Sequence, residues 1–192
     1  MENIKPKKLN LYKALQIGYL RNEAKQKKRL KRFGYRLLPE LTTREHVVAI
    51  NPTNNKMIYI SNGTDFSNSV DVQNDILGAV GSQRHSRRTE EEKNTLLKAK
   101  KEYKPSQTTL VSHSLGAQYT NYIASPEDRV IQVNPYYTPG AKARPNVENY
   151  RTSADIVSTF APKANTHLIP SNKINPVSAH NIDEVKNLPI YI

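Results

Sequence analysis

Cysteine is absent from the 192 residues. That excludes a disulfide framework, a thiolate metal site and a cysteine nucleophile. It is compatible with a reducing compartment. Long apolar runs are also missing: none approaches the roughly 18 to 20 residues of a membrane span. The basic N-terminus lacks the apolar segment of a signal peptide, because Leu11 to Leu20 is interrupted by Lys13, Gln16 and Gly18. The expectation is a soluble, non-secreted, cytoplasmic protein of one sizeable domain. Internal repeats are absent as well.

Acidic residues are scarce in one place. Residues 1–36 carry twelve Lys and Arg against Glu2 and Glu23, a net +10 out of the +12 of the whole chain. The remaining residues hold only about +2. The organisation read from this is a basic arm over residues 1–36 and a near-neutral domain over 37–192. Residues 5–36 would be drawn to an anionic membrane or to nucleic acid.

Within the arm, Lys7 to Phe33 reads as one helix with a loose apolar stripe of Leu11, Leu15, Tyr19, Leu30 and Phe33. His46 to Ile50 and Met57 to Ile60 flank a turn-rich segment and predict an antiparallel hairpin. Residues 70–77 have a short helical pattern. Gly78 to Arg88 reads as a polar, basic loop, in which Arg84, His85, Arg87 and Arg88 face solvent. Thr89 caps a predicted helix to Tyr103, with Glu90, Glu91 and Glu92 at its positive end. Short strands at Val130 to Val133, Val147 to Arg151 and His167 to Ile169 follow, then a final helix over Asn181 to Leu188. Strands alternating with helices predict an α/β domain, with a mostly parallel sheet after the antiparallel hairpin and helices on both faces.

The most specific motif lies between a strand and a helix. Thr108 to Gly116 reads T-T-L-V-S-H-S-L-G. A nucleophilic serine on a strained strand-to-helix turn needs small residues two positions before and after it. Ser112, Ser114 and Gly116 fit that elbow, with Ser114 as nucleophile and His113 inside it. The chain order of such a triad is Ser, then Asp or Glu, then His, and its members gather beyond the carboxyl ends of the strands. His46 and His85 precede Ser114, His113 is within the elbow and His167 is in a strand. His180, in the loop P-V-S-A-H-N, remains as the base. Glu127 and Asp128 precede a strand and Glu148 opens one, whereas Asp155 follows one, so Asp155 is the orienting acid. The oxyanion hole takes the Leu115 N–H, immediately after the nucleophile, and a second donor from Gly63-Thr64 at the end of an earlier strand. This chemistry needs no cofactor.

These stretches resemble the class 3 (fungal-type) lipases of the α/β-hydrolase superfamily. The matching residues are N-G-T at Asn62 to Thr64, S-H-S-L-G-A at Ser112 to Ala117, A-D-I-V at Ala154 to Val157 and S-A-H at Ser178 to His180. The resemblance implies a serine carboxylic-ester hydrolase acting on lipid or another ester. It implies that Thr64 is the oxyanion residue and that Asp71 or Asp75 braces the oxyanion loop. Asn62 replaces the family's usual Arg, Ser112 its first Gly and Ala117 its last. The chain is also similar to compact lipase-like proteins of large DNA viruses, which implies association with a virion. Two other functions compete: a nucleic-acid- or virion-associated binding protein on a hydrolase fold, and a catalytically dead scaffold.

The predicted loop over Gly78 to Arg88 offers only Ala79 and Val80 as apolar residues, which argues against a triglyceride lipase. It suits a small-ester carboxylesterase or a phospholipase. Tyr136 and Tyr137 are candidate linings of an acyl pocket.

Overall fold

Strands β1 (Arg36–Leu37), β2 (His46–Asn51), β3 (Lys56–Ser61), β4 (Gln107–His113), β5 (Arg129–Val133), β6 (Val147–Thr152) and β7 (Thr166–Ile169) form one sheet in the computed structural model. It describes residues 7–63, 83–138 and 140–192. The strands lie in the sheet in their chain order. β1, β2 and β3 pair antiparallel, and every pair from β3 to β7 is parallel. The fold is the mostly parallel α/β sheet with an antiparallel first hairpin that the strand pattern predicted.

Side-chain alternation along the strands divides the apolar residues between two faces. Val47, Ala49, Ile58, Ile60, Val111, Ile131 and Val133 point to one core. Val48, Ile50, Met57, Tyr59, Leu110 and Val130 point to the other. Burial on both faces explains why β2 to β5 read as nearly continuous apolar runs. The first core is covered by helix α1 (Leu11–Gly18) and by Leu30 of α2 (Glu23–Lys31). The second is covered by Leu96 and Ala99 of α3 (Gln83–Tyr103). Helix α4 (Gly116–Ile123) joins β4 to β5. The one-turn helix α5 (Pro176–Ala179) follows β7.

Three expectations are corrected. Lys7 to Phe33 is two helices, because the Asn22 side chain accepts from Lys25 N–H (2.9 Å) and starts α2 afresh. Asn10 caps α1 in the same way through Lys13 N–H. Thr89 is not a cap: α3 begins at Gln83, so residues 83–88 are helix rather than loop. The ion pair Arg87–Glu91 (2.8 Å) spans one turn, and Arg88–Glu92 (2.7 Å) another, across the proposed boundary. Asn181 to Leu188 contributes only a 3-10 turn, Ile182–Val185, capped by Asn181. Thr64, Asp71, Asp75, residues 70–82 and the side chains of Arg84 and His85 lie outside the described residues.

The chain returns to its start. Leu11 N–H donates to the Ile190 carbonyl (2.8 Å) and Ile192 N–H to that of Leu9 (3.0 Å). No helix among the described residues is long and apolar enough to cross a membrane.

Candidate active site

β4 ends at His113 and α4 starts at Gly116, so Ser114 occupies the turn between them. Its φ is +55°, a left-handed conformation that costs an L-residue roughly 1–2 kcal/mol. The turn is held in place by its backbone. Ser114 N–H donates to the Val133 carbonyl (3.1 Å), and its own carbonyl accepts from Tyr136 N–H (3.0 Å). Small neighbours are obligatory here. A Cβ on Gly116 would lie 2.4 Å from the Ser61 carbonyl oxygen, and one on Gly63 would lie 2.6 Å from Ser114 Cβ. β3, β4 and α4 therefore approach one another at backbone distance.

Ser112 fits where a glycine was expected because its hydroxyl is used. Thr120 Oγ1–H is given to the Ala117 carbonyl (3.2 Å), so Ser112 Oγ–H donates to Thr120 Oγ1 (2.8 Å). Gln132 Nε2 also donates to Thr120 (3.0 Å), and Tyr137 OH donates to Gln132 Oε1 (2.6 Å). The extra atoms of Ser112 complete a buried polar layer behind the elbow.

Asp155 and His180 are both buried, and His180 Nδ1 lies 3.0 Å from Asp155 Oδ1. The Asp155 carboxylate also accepts from Val157 N–H (2.9 Å) and Ser158 Oγ–H (2.5 Å), at the start of the 3-10 turn Val157–Phe160. Burial alone raises its pKa. The hydrogen bonds and charge of His180, with those of Ser158 and Val157, outweigh that and hold it below the ordinary carboxylate value. The group is thus an anion aligned on the imidazole, and it serves the turn as well.

His180 is also clamped through its backbone. The Ala179 carbonyl accepts from Asn134 Nδ2 (3.1 Å) and Thr152 Oγ1 (2.5 Å), and the His180 carbonyl accepts from His113 Nε2 (2.8 Å). Asn134, at φ +43°, follows β5, and Thr152 ends β6. His113 is kept neutral: burial, and then the neighbouring His180, lower its pKa to about 3. A carbonyl can only accept, so Nε2 carries the proton and Nδ1 accepts from Tyr19 OH (2.7 Å). Tyr19 OH in turn accepts from Gly63 N–H (3.1 Å). One chain of hydrogen bonds thus runs from the end of β3, through the residue after α1, to the backbone of His180. The Gly63 N–H is thus engaged by Tyr19, and Gly63 contributes a close backbone approach.

The sheet edge brings together Ser112, His113, Ser114, Leu115, Gly116 and Gly63, with Asp155 and His180 joined by the clamp. Ser114 Oγ is buried and has no hydrogen bond among the described residues. Ala117 and Gln118 N–H turn back on the Ser114 and Leu115 carbonyls (3.0 and 3.1 Å), and the Leu115 N–H precedes them at the start of α4. Tyr19, Asn134 and Thr152 were not found from the sequence. Only Asn134 carried a signal, an Asn directly after a strand, where positive φ is tolerated. Among the described residues no group of three His, Asp or Glu side chains could hold a metal ion. A cleft of about 570 Å³ is lined by Thr89, Gln118, Tyr122 and Tyr137, but by none of Ser114, Asp155 and His180.

No protein-family model matches the chain, and no curated protein matches it by sequence. Solved structures do match. Lip2 lipase from Yarrowia lipolytica superposes with a TM-score of 0.59 at 12% identity, over 91% of this chain and 86% of that one. A structure described under an unusual buried polar cluster in a family of fungal lipases gives 0.50 at 15% identity, over 88% and 80%. A mutant of MDLA from Penicillium cyclopium gives 0.47 at 15% identity, and the match spans 60% of that chain. The Lip2 match shows that the chain has a lipase-like α/β fold.

Proposed function

We propose that the chain is a serine carboxylic-ester hydrolase of lipase or phospholipase type. The observation that carries the proposal is the strained Ser114, at the same sheet edge as an aligned, buried Asp155–His180 pair. In this reading Ser114 Oγ attacks the ester carbonyl as His180 Nε2 takes its proton. Asp155 stabilises the imidazolium that results. The proton then passes to the departing alcohol, and water attacks the acyl-enzyme by the same route in reverse. Leu115 N–H and Thr64 hold the oxyanion. The likeness to structures called lipases supports an ester substrate, and the basic residues 5–36 support action at an anionic lipid surface.

A fluorophosphonate probe tests this directly. The protein is expected to be labelled covalently, and Ser114→Ala is expected to abolish labelling. An unlabelled wild type would sink the enzyme reading.

The exposed basic face of α2 favours a second reading, a nucleic-acid- or virion-associated binding protein on a hydrolase fold. Salt-sensitive binding to DNA, without binding to anionic vesicles, would select it.

A further inference from the structure

One buried ion pair has no part in the acyl-transfer scheme. Arg88 in α3 sits with Nε 2.7 Å from Glu92 Oε1, and both side chains are shielded from solvent. Its Nη2 donates to the Asn62 carbonyl (2.7 Å), to Ser61 Oγ (3.2 Å) and more weakly to the Glu45 carbonyl (3.4 Å). Its guanidinium lies 4.1 Å from the ring centroid of Tyr119 in α4. Glu92 accepts from Ser61 Oγ–H (3.0 Å) and Tyr59 OH (3.4 Å). A single cation therefore touches α3, the end of β3 and the helix behind Ser114. This overturns the expectation that Arg88 is a solvated loop residue, because the helix turns it inward against the sheet edge.

A buried ion pair gives little net stability over an apolar replacement, since desolvation offsets the attraction. Orientation is what it supplies here. The Asn62 carbonyl and the Gly63 N–H belong to one planar peptide group and point in opposite directions. Arg88 holds the carbonyl end, and Tyr19 OH holds the N–H end at 3.1 Å. Both ends of the plane are fixed, and that plane sets how the chain leaves β3 beside Ser114. A Cβ added to Gly63 would run into Ser114 Cβ and the His113 carbonyl, so the backbone there has no room to shift toward them.

We propose that Arg88 is a positioning residue that fixes the Asn62–Gly63 peptide where it passes Ser114. This rests on the serine-hydrolase reading. The test compares Arg88→Lys, Arg88→Met and Glu92→Gln with wild type. It measures kcat and KM on a short-chain p-nitrophenyl ester, the fluorophosphonate labelling rate, Tm, and Gly63 amide exchange by NMR.

Arg88→Lys is expected to lower kcat by about 10- to 100-fold, with KM changed less than about 2-fold. The labelling rate should fall by the same factor and Gly63 exchange should quicken. Arg88→Met should be worse than Arg88→Lys, and Glu92→Gln milder. Variants that lose Tm, yet keep wild-type kcat per folded molecule and wild-type Gly63 exchange, would show a purely structural pair and overturn the proposal. Should Arg88→Met not fold, Arg88→Lys and Glu92→Gln decide on the same criteria. If the wild type is not labelled at all, the hydrolase reading fails and Gly63 exchange alone decides. Quickened exchange then keeps the positioning role, and unchanged exchange removes it.

Discussion

At the scale of single residues, Asp155 serves two purposes, and a variant can separate them. An Asn there keeps the oxygen that accepts from Val157 N–H but loses the charge opposed to the imidazolium. Asp155→Asn is expected to lower kcat by roughly 10³- to 10⁴-fold with little loss of Tm, measured by ester hydrolysis and thermal unfolding. The pairing of Asp155 with His180 was legible because chain order and the carboxyl-edge rule single out these two. Tyr19, His113 and Arg88 were not, since each acts through contacts 26 to 94 residues away in sequence. Asn62 stands where the resemblance leads one to expect an Arg. Its amide instead donates to the Gly18 carbonyl (2.8 Å), and a guanidinium reaches its own carbonyl from another helix. A pairwise reading of N-G-T could not have found that substitution of source.

At the scale of elements, α1 and α2 share a basic stretch of sequence but do different things. Leu11, Leu15 and Ile17 of α1 are almost completely buried against the sheet. In α2 only Gln26 and Leu30 are buried, and its lysines and Arg29 face solvent. Leu15→Ala is therefore expected to cost about 2–5 kcal/mol in urea unfolding. Replacing Lys25, Lys28, Arg29 and Lys31 of α2 by Gln should cost under about 1 kcal/mol, yet weaken binding to anionic vesicles or DNA at low salt. Unchanged binding would remove α2 as the polyanion contact. The break between the helices had a readable signal in Asn22-Glu23, a cap followed by an acidic first turn. The start of α3 was misread because Thr89 and three glutamates imitate the same signal. Tertiary burial of Arg88 and Glu92 decides the matter, and local propensity cannot report burial.

At the scale of the whole molecule, two buried histidines set the response to acid. Burial, with Arg88 nearby, lowers the pKa of His46 to about 4, and burial beside His180 lowers that of His113 to about 3. Both values lie below the ordinary 6.5, so the unfolded chain takes up protons first as pH falls. Their contribution is present above pH 6.5 and is lost on the way down to about 4 and 3, by about 1.4 kcal/mol per histidine per pH unit. Glu92, which burial raises despite Arg88, acts in the opposite sense. Tm is expected to fall steadily from pH 7 to pH 4, with a shallower slope in His113→Gln. A Tm independent of pH over that range would contradict the neutral state of both rings. The strand order was half legible. Alternating strands and helices gave the sheet type, but nothing local said that among the described residues β5, β6 and β7 would have only the 3-10 turn Val157–Phe160 between them.

A sheet whose strands are laid down in chain order has a consequence for synthesis on the ribosome. Each new strand finds its partner already emerged, so the sheet can grow at one edge from the hairpin onward. The Ser114 turn leans on Val133 and Tyr136, and is seated once β5 is out. His180 and the Ile190–Ile192 segment that ties down α1 follow later in the chain. A nascent chain would therefore expose Ser114 before His180, the base of the proposed reaction, had been made, and that reaction would wait until the Asp155–His180 pair had formed.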